Sequence, residues 1–244
     1  MSGKKVKALL ESSSHVVAFT GAGISAESGI PTYRGADGLW DKYDPNKVAD
    51  AEYFSLDPAY YWQFVRDVRY PALRDAAPNR GHTALAELER RGRLRALITQ
   101  NVDGLHRDAG SENVLELHGN TRRIRCLDCG GGYSLEALEE RMRGEMPPAC
   151  PDCGGLLKPD VVLFGEPLPE ETLQEAIRQS RSCDCFLAIG SSLAVQPAAS
   201  LPAMAKQAGA GLIIVNKEET PLDAMADIVL RDSASSALDG VLER

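Results

Sequence analysis

An open, parallel α/β sheet of Rossmann-like type, covered by helices on both faces, is the architecture this sequence predicts, and two observations predict it. Short apolar runs without polar alternation recur at residues 16–19, 94–99, 183–189 and 211–215, and stretches of helical periodicity separate them. Runs of that kind are buried on both faces, and strand–helix alternation joins them in parallel. Polar and glycine-rich groups follow the ends of these runs, at residues 21–26, 100–103, 118–119 and 190–192 and at Asn216. Ligands of open α/β sheets bind outside the carboxyl ends of the strands, so one crevice is expected to gather these groups.

Taken in order, residues 4–12 suit a short amphipathic helix. The run 16–19 leads into Gly21-Ala22-Gly23-Ile24-Ser25-Ala26, a G-x-G-x-x-A pattern. Glycines there let a backbone approach a pyrophosphate, and the N-terminus of a following helix supplies N–H groups. A dinucleotide fold would place an acidic residue after a second strand about 20 residues on. Asp41 and Asp44 lie at that distance, but among Gly35, Gly38, Pro45 and Asn46 instead of after an apolar run. Tyr33 and Arg34 come instead, an aromatic and a cation suited to covering a bound nucleotide.

Residues 49–74 read as helical, with Asp57-Pro58 as an N-cap and first helical position. A break at 78–81 precedes a helix at 83–91. The strand 94–99 then ends at Gln100-Asn101-Val102-Asp103, and 113–117 ends at His118-Gly119-Asn120. After an interruption at 121–158, residues 160–164 read as a resumed strand of the same sheet. A helix at 170–181, the strand 183–189 ending at Gly190-Ser191-Ser192, a helix at 197–207 and strands at 211–215 and 228–230 complete the pattern.

The formal net charge of -8 argues against general nucleic-acid binding. Near the N-terminus the only apolar run is Ala8-Leu9-Leu10, too short for a signal peptide, and no stretch is long enough to span a membrane. The expected location is therefore cytoplasmic; oligomeric state is not legible.

Six cysteines in such a chain point to metal or free thiols before disulfides. Cys126-x-x-Cys129 and Cys150-x-x-Cys153, twenty residues apart, can present four thiolates tetrahedrally to a structural zinc. With all four positions filled by sulfur, no vacancy remains for water or substrate. Cys183 and Cys185 read as inert core thiols on a strand. Of the four histidines, His118 is the candidate base, because it ends a strand at the same sheet edge as the glycine turn. His15 and His82 read as ordinary, and His106 as a hydrogen bonder that orders its loop. The amides and carboxylate of Gln100, Asn101 and Asp103 suit a polar ligand, although Asn and Asp also bond their own turns.

In this combination the chain resembles the sirtuin family of NAD-dependent protein deacylases. The residues that carry the resemblance are Gly21-Ala22-Gly23-Ile24-Ser25, Gly29-Ile30-Pro31, Arg34-Gly35, Thr99-Gln100-Asn101-Val102-Asp103, Leu117-His118-Gly119-Asn120, the four cysteines, Phe164-Gly165-Glu166, Gly190-Ser191-Ser192 and Val215-Asn216. Tyr33 stands where many members have Phe, and Val102 where many have Ile. The resemblance implies a discontinuous Rossmann-like NAD-binding domain, residues 1–35, 80–120 and 158–244. A small domain would be made from a helical insertion, 36–79, and a zinc-ribbon insertion, 121–157.

The resemblance also implies NAD as a consumed co-substrate, structural zinc, and acylated-lysine proteins or peptides as partners. The acyl oxygen would attack C1′ of the nicotinamide ribose, releasing nicotinamide. His118, with Asn101 as its catalytic companion, would then act as general base on the ribose hydroxyls, leaving O-acyl-ADP-ribose and free lysine. Gly21, Ala22, Gly23, Ala26, Tyr33, Arg34, Gln100, Asn101, Val102, Asp103, Gly190, Ser191, Ser192, Asn216 and Ala234 would join His118 around NAD. Val162, Phe164, Gly165, Glu166 and Val195 would bind an extended peptide. Protein ADP-ribosyl transfer or NAD hydrolysis in the same pocket is the alternative. Members that prefer succinyl or malonyl groups carry a Tyr-x-x-Arg pair whose positions here fall at Val65 and Val68. The acyl pocket is therefore expected to be floored by those valines, with Arg66 and Arg69 turned away, and to take acetyl or longer uncharged acyl groups with poor activity on succinyl-lysine.

Overall fold

The structure, a computed structural model, describes residues 2–34, 38–144 and 146–242; Gly35 of the expected motif lies outside them, as do both ends of the expected large domain's first segment. After α1 (Ser2–Ser12), β1 (Val16–Thr20) runs into two 3-10 turns, Ala22–Ile24 and Ala26–Ser28. These turns take the place of the long helix expected after a dinucleotide turn. A 3-10 turn at Leu39–Asp41 precedes α2 (Pro45–Val48), α3 (Ala51–Leu56) and α4 (Pro58–Phe64), a π-helical turn at Val65–Arg69, and α5 (Tyr70–Asp75). Asp57 caps α4, its carboxylate accepting the Tyr60 N–H at 3.1 Å, as the Asp-Pro pair predicts.

The chain continues through α6 (Arg80–Arg90), β2 (Leu94–Thr99), α7 (Leu105–Asp108), β3 (Val114–Glu116), β4 (Gly119–Cys126), β5 (Gly132–Ser134) and α8 (Glu139–Met142). Then come β6 (Leu157–Val161), α9 (Glu170–Ser182), β7 (Cys185–Ile189), α10 (Leu201–Gln207), β8 (Gly211–Val215), β9 (Ile228–Leu230) and α11 (Ala234–Leu242). Among the described residues no helix is long and apolar enough to cross a membrane.

Six strands form one parallel sheet in the order β3-β2-β1-β7-β8-β9. Every residue of β1 and β7 is buried, which explains their unbroken apolar runs. Successive side chains divide between the two faces. Val16 and Ala18 pack with Leu10 of α1, Leu85 of α6 and Leu238 of α11, whereas Val17 and Phe19 pack with Ala176 of α9 and Leu201 of α10. The strand order reverses at β1, which pairs with β2 on one side and β7 on the other. A crevice at the carboxyl ends of β1 and β7 is the geometric consequence.

The expected strand at 160–164 is corrected. Residues 157–161 form β6, which pairs antiparallel with β4 in a separate sheet of order β5-β4-β6. Its apolar run misleads because Val161 and Leu163 fill a second core, while Phe164 is exposed. That core joins the two insertions: Tyr61, Trp62 and Val65 pack against Ile124, Leu138 and Leu157. The Trp62 indole N–H also donates to the Leu157 carbonyl at 2.9 Å, so the buried ring leaves no unpaired donor.

Candidate active site

Where the sheet order reverses, the loops after β1 and β7 dock backbone to backbone. The Gly23 N–H donates to Gly190 O at 2.8 Å. A Cβ on Gly21 would lie 2.7 Å from Gly190 O, and one on Gly23 would lie 2.7 Å from Gly190 Cα. These glycines are required by that contact, whatever a ligand also requires. The crevice above has a volume of about 880 Å³, within the roughly 300–1,000 Å³ of clefts that bury small ligands.

Every residue expected around NAD or peptide lines this crevice except Asp103, which borders an adjoining smaller chamber with Val102 and Asn101. Lys217, Glu218 and Asp232, which no sequence motif marks, join Asn216 and Ala234 on its lining. Tyr33 is half-buried against Trp40, with ring centroids 4.9 Å apart, and Arg34 is exposed.

On the crevice floor, the two amide protons of Asn101 go to Gly21 O and Ser25 Oγ, both at 3.1 Å. Its Oδ1 is thereby the side-chain atom left to face a ligand. Gln100 Nε2 donates to Ser191 Oγ at 2.7 Å, linking the loops after β2 and β7. The Asp103 carboxylate accepts from Ser25 Oγ at 2.7 Å and from the Leu105 N–H at 2.9 Å, so it orders its loop as well as edging the chamber.

His118 is half-buried, with Nδ1 3.0 Å from Gln100 O. A carbonyl only accepts, so Nδ1 carries the proton and Nε2 is bare. Burial pushes its pKa below the usual imidazole value, against the Gln100 bond, which favours the charged form. The ring is therefore a neutral base at pH 7.

Two residues that local reading passed over sit beneath this set. Ser25 is fully buried and bonds Asn101, Asp103 and His82. His82, also fully buried, caps α6 through Nδ1 and reaches Ser25 Oγ with Nε2 at 3.3 Å. Spacing alone carries no signal for such contacts.

The expected peptide-side residues share one rim, with part of their chemistry already engaged. Phe164 exchanges backbone bonds with Ala49 and Ala51 at 2.7 and 3.0 Å, and Glu166 accepts from Lys158 Nζ at 3.0 Å and from the Leu163 N–H at 2.8 Å. Phe164 nonetheless offers an exposed ring.

The expected valine floor is corrected. Val65 is fully buried in the small core and lines neither space, whereas Val68, half-buried against a different cluster, does line the smaller chamber. Arg69 lines both the crevice and the smaller chamber. Its Nε and the Tyr61 hydroxyl are buried without hydrogen-bond partners. The cause is the π-helical turn, whose i→i+5 bonding rotates the residues after it away from α-helical faces. With Arg69 on the wall, the ground for expecting poor activity on succinyl-lysine is gone.

Away from the crevice, the sulfurs of Cys126, Cys129, Cys150 and Cys153 all lie within 4.8 Å of one another. Separations of 3.6 Å for Cys126–Cys153 and 3.8 Å for Cys129–Cys150 match the roughly 3.8 Å edge of a tetrahedron with 2.3 Å Zn–S bonds. The donor set fits structural zinc. Cys183 and Cys185 are buried core thiols, both pushed up to about 12 by burial; Cys183 lies just outside β7, its thiol bonded to Ser180 O.

The sequence model of the Sir2 family matches residues 21–197. The chain belongs to the Sir2 family. Among relatives of this Sir2-family chain, the NAD-dependent protein deacylase 2 of Archaeoglobus fulgidus is 50% identical over 242 residues, covering 98% of this chain and 94% of that protein. The NAD-dependent protein deacetylase of Sulfolobus acidocaldarius is 52% identical over 240 residues, covering 98% and 93%. A solved structure described as "Sir2-p53 peptide-NAD+" superposes with a TM-score of 0.92 at 38% identity, covering 99% of this chain and 98% of that one.

Proposed function

We propose that this chain is an NAD-dependent protein-lysine deacylase, which transfers the acyl group of acyl-lysine to ADP-ribose and releases nicotinamide. The observation that carries the reading is the position of His118. A neutral imidazole with its proton fixed on Nδ1 presents a bare Nε2 to the same crevice as Asn101 and the docked glycine turns.

Bound NAD supplies an ADP-ribosyl electrophile; the chain positions it and handles the protons. The turns at Gly21–Gly23 and Gly190–Ser192 hold the diphosphate and adenosine side, with Asn216 and Ala234 at the adenosine end. Tyr33 and Arg34 close over the dinucleotide and exclude water, which would otherwise consume a reactive sugar. Val102 and Asp103 frame the chamber that receives the nicotinamide amide. Asn101 Oδ1 accepts from a ribose hydroxyl or a water. His118 Nε2 takes a ribose hydroxyl proton, the task of a base with a pKa near or below neutrality. An extended acyl-peptide lies between the Phe164 rim and Val195, with main-chain pairing that makes little demand on sequence.

Four thiolates from the two knuckles hold zinc as a structural clamp. The helical insertion and the ribbon act as one small domain through their shared core. Six cysteines, none in a disulfide, suit a reducing cytoplasm.

Mass spectrometry of NAD products with acyl-lysine peptides tests the reading. O-acyl-ADP-ribose and free lysine in equal amounts are expected. ADP-ribose on protein, or free ADP-ribose without deacylation, would transfer the assignment to ADP-ribosyl transfer or NAD hydrolysis.

A further inference from the structure

His106 is 2% exposed, its Nδ1 has no partner, and no step above uses it. Its ring lies against His82, centroids 4.8 Å apart. Its Nε2 is 2.9 Å from Thr20 Oγ1. Thr20 Oγ1 donates to Thr99 Oγ1 at 2.8 Å, across a register in which the last residues of β1 and β2 face each other. Since the Thr20 proton points to Thr99, the Thr20 oxygen accepts, and His106 carries its proton on Nε2.

Thr99 Oγ1 also accepts the Asn101 N–H at 3.0 Å. That N–H belongs to the peptide unit whose carbonyl, Gln100 O, accepts the Nδ1 proton of His118. One unbroken series of hydrogen bonds thus joins a buried histidine to the base. Filling both lone pairs of Thr99 fixes the place of that oxygen. Its bond to the Asn101 N–H polarises the amide and makes Gln100 O the stronger acceptor, as in other hydrogen-bonded chains of low dielectric.

We propose that His106 is a positioning residue for His118: through Thr20, Thr99 and the Gln100–Asn101 peptide it holds the base in one tautomer and orientation. The proposal rests on the assignment of His118 as base. It predicts a defect in the proton-transfer steps, with the nicotinamide-releasing step largely spared.

The test measures deacylation and nicotinamide exchange on one acetyl-lysine peptide, with thermal unfolding of each protein. Thr20→Val is isosteric and cuts the chain. His106→Asn places its amide at the Nδ1 position and cannot reach Thr20, whereas His106→Gln can place an N–H where Nε2 stood. Thr20→Ser keeps the hydroxyl. Thr20→Val and His106→Asn should lower the ratio of deacylation to exchange by about tenfold, a loss typical of slight misplacement of a reacting group. His106→Gln and Thr20→Ser should retain the wild-type ratio. Folded Thr20→Val and His106→Asn proteins with an unchanged ratio would overturn the proposal. So would parallel loss of both activities, which marks a merely structural role. His118→Ala in the same series keeps the two assignments separate: if it leaves the ratio unchanged, the base assignment itself has failed.

Discussion

Gly21→Ala isolates the docking of the two crevice loops. Gly21 has φ -126° and ψ -175°, extended backbone that alanine adopts without strain. The whole cost therefore comes from the added carbon, 2.7 Å from Gly190 O and 2.9 Å from Ser191 Cα. The first contact is 0.7 Å short of the 3.4 Å where ordinary contact begins (3.4 − 2.7). A displacement of that size along the Asn101 Nδ2–Gly21 O bond, now 3.1 Å, would carry it out of hydrogen-bonding range. Overpacking costs about 1–3 kcal/mol. Stiffening the unfolded chain returns about 0.4–1 kcal/mol, so a net loss of about 1–2 kcal/mol is expected. For a chain of this size that is a fall of about 2–8 °C in Tm.

Calorimetry gives the stability, and NAD titration with nicotinamide exchange gives the function. The control is Gly209→Ala. Gly209 has φ +100° with nothing within 4 Å of a built Cβ, so alanine there is strained but uncrowded. A left-handed alanine costs about 1–2 kcal/mol, a comparable destabilisation far from the crevice. Gly21→Ala should lose NAD affinity and exchange, and Gly209→Ala should keep both. If the two variants behave alike at equal Tm, the docking argument is wrong.

His118→Ala should lower deacylation by about 10²-fold or more, with exchange less affected, and the ratio of the two rates checks the role. Burial depresses the His118 pKa, so the acid limb of kcat/KM should fall below pH 6.5, the ordinary value; a limb above it would contradict the neutral resting base. His82 and His106 are also held neutral, chiefly by burial. Because the unfolded chain binds those protons first, stability should decline as pH drops below 6.5, which denaturant midpoints across pH 5–8 would measure. Chelation, or Cys150→Ala, should unfold the β4–β6 sheet and reduce activity through that loss; a chelated protein that stays folded but loses the chemical step would refute a purely structural metal.

The zinc knuckles and the glycine turn were legible because each is local: two cysteines on one bend, two glycines on one loop. The six main-sheet strands were legible as short apolar runs, most plainly β1 and β7, where burial on both faces leaves no polar alternation. Residues 160–164 show the limit of that signal, since a run lining a second core looks the same as a strand of the first. Ser25 and His82 form their contact across 57 residues of chain, and nothing in the local pattern marks either as a hub. Arg69 was misplaced because a π-helical turn has no signature of its own, and one such turn redirects every later side chain.

β4 begins at Gly119, directly after His118, and ends at Cys126. His118 and the first cysteine of the metal cluster therefore stand at opposite ends of β4, a span that β6 covers in five residues, from Val161 opposite Gly119 to Leu157 opposite Cys126, about 13 Å at the usual rise. What the metal can transmit to the base is a direction. His118 O is bonded to the Val162 N–H at 2.9 Å, and Gly119 pairs with Val161, so the imidazole leaves the chain where the large sheet hands over to the small one. The ribbon is the far arm of a lever with its fulcrum beside His118. Substitutions that keep the arm's length and clamp can change its surface freely.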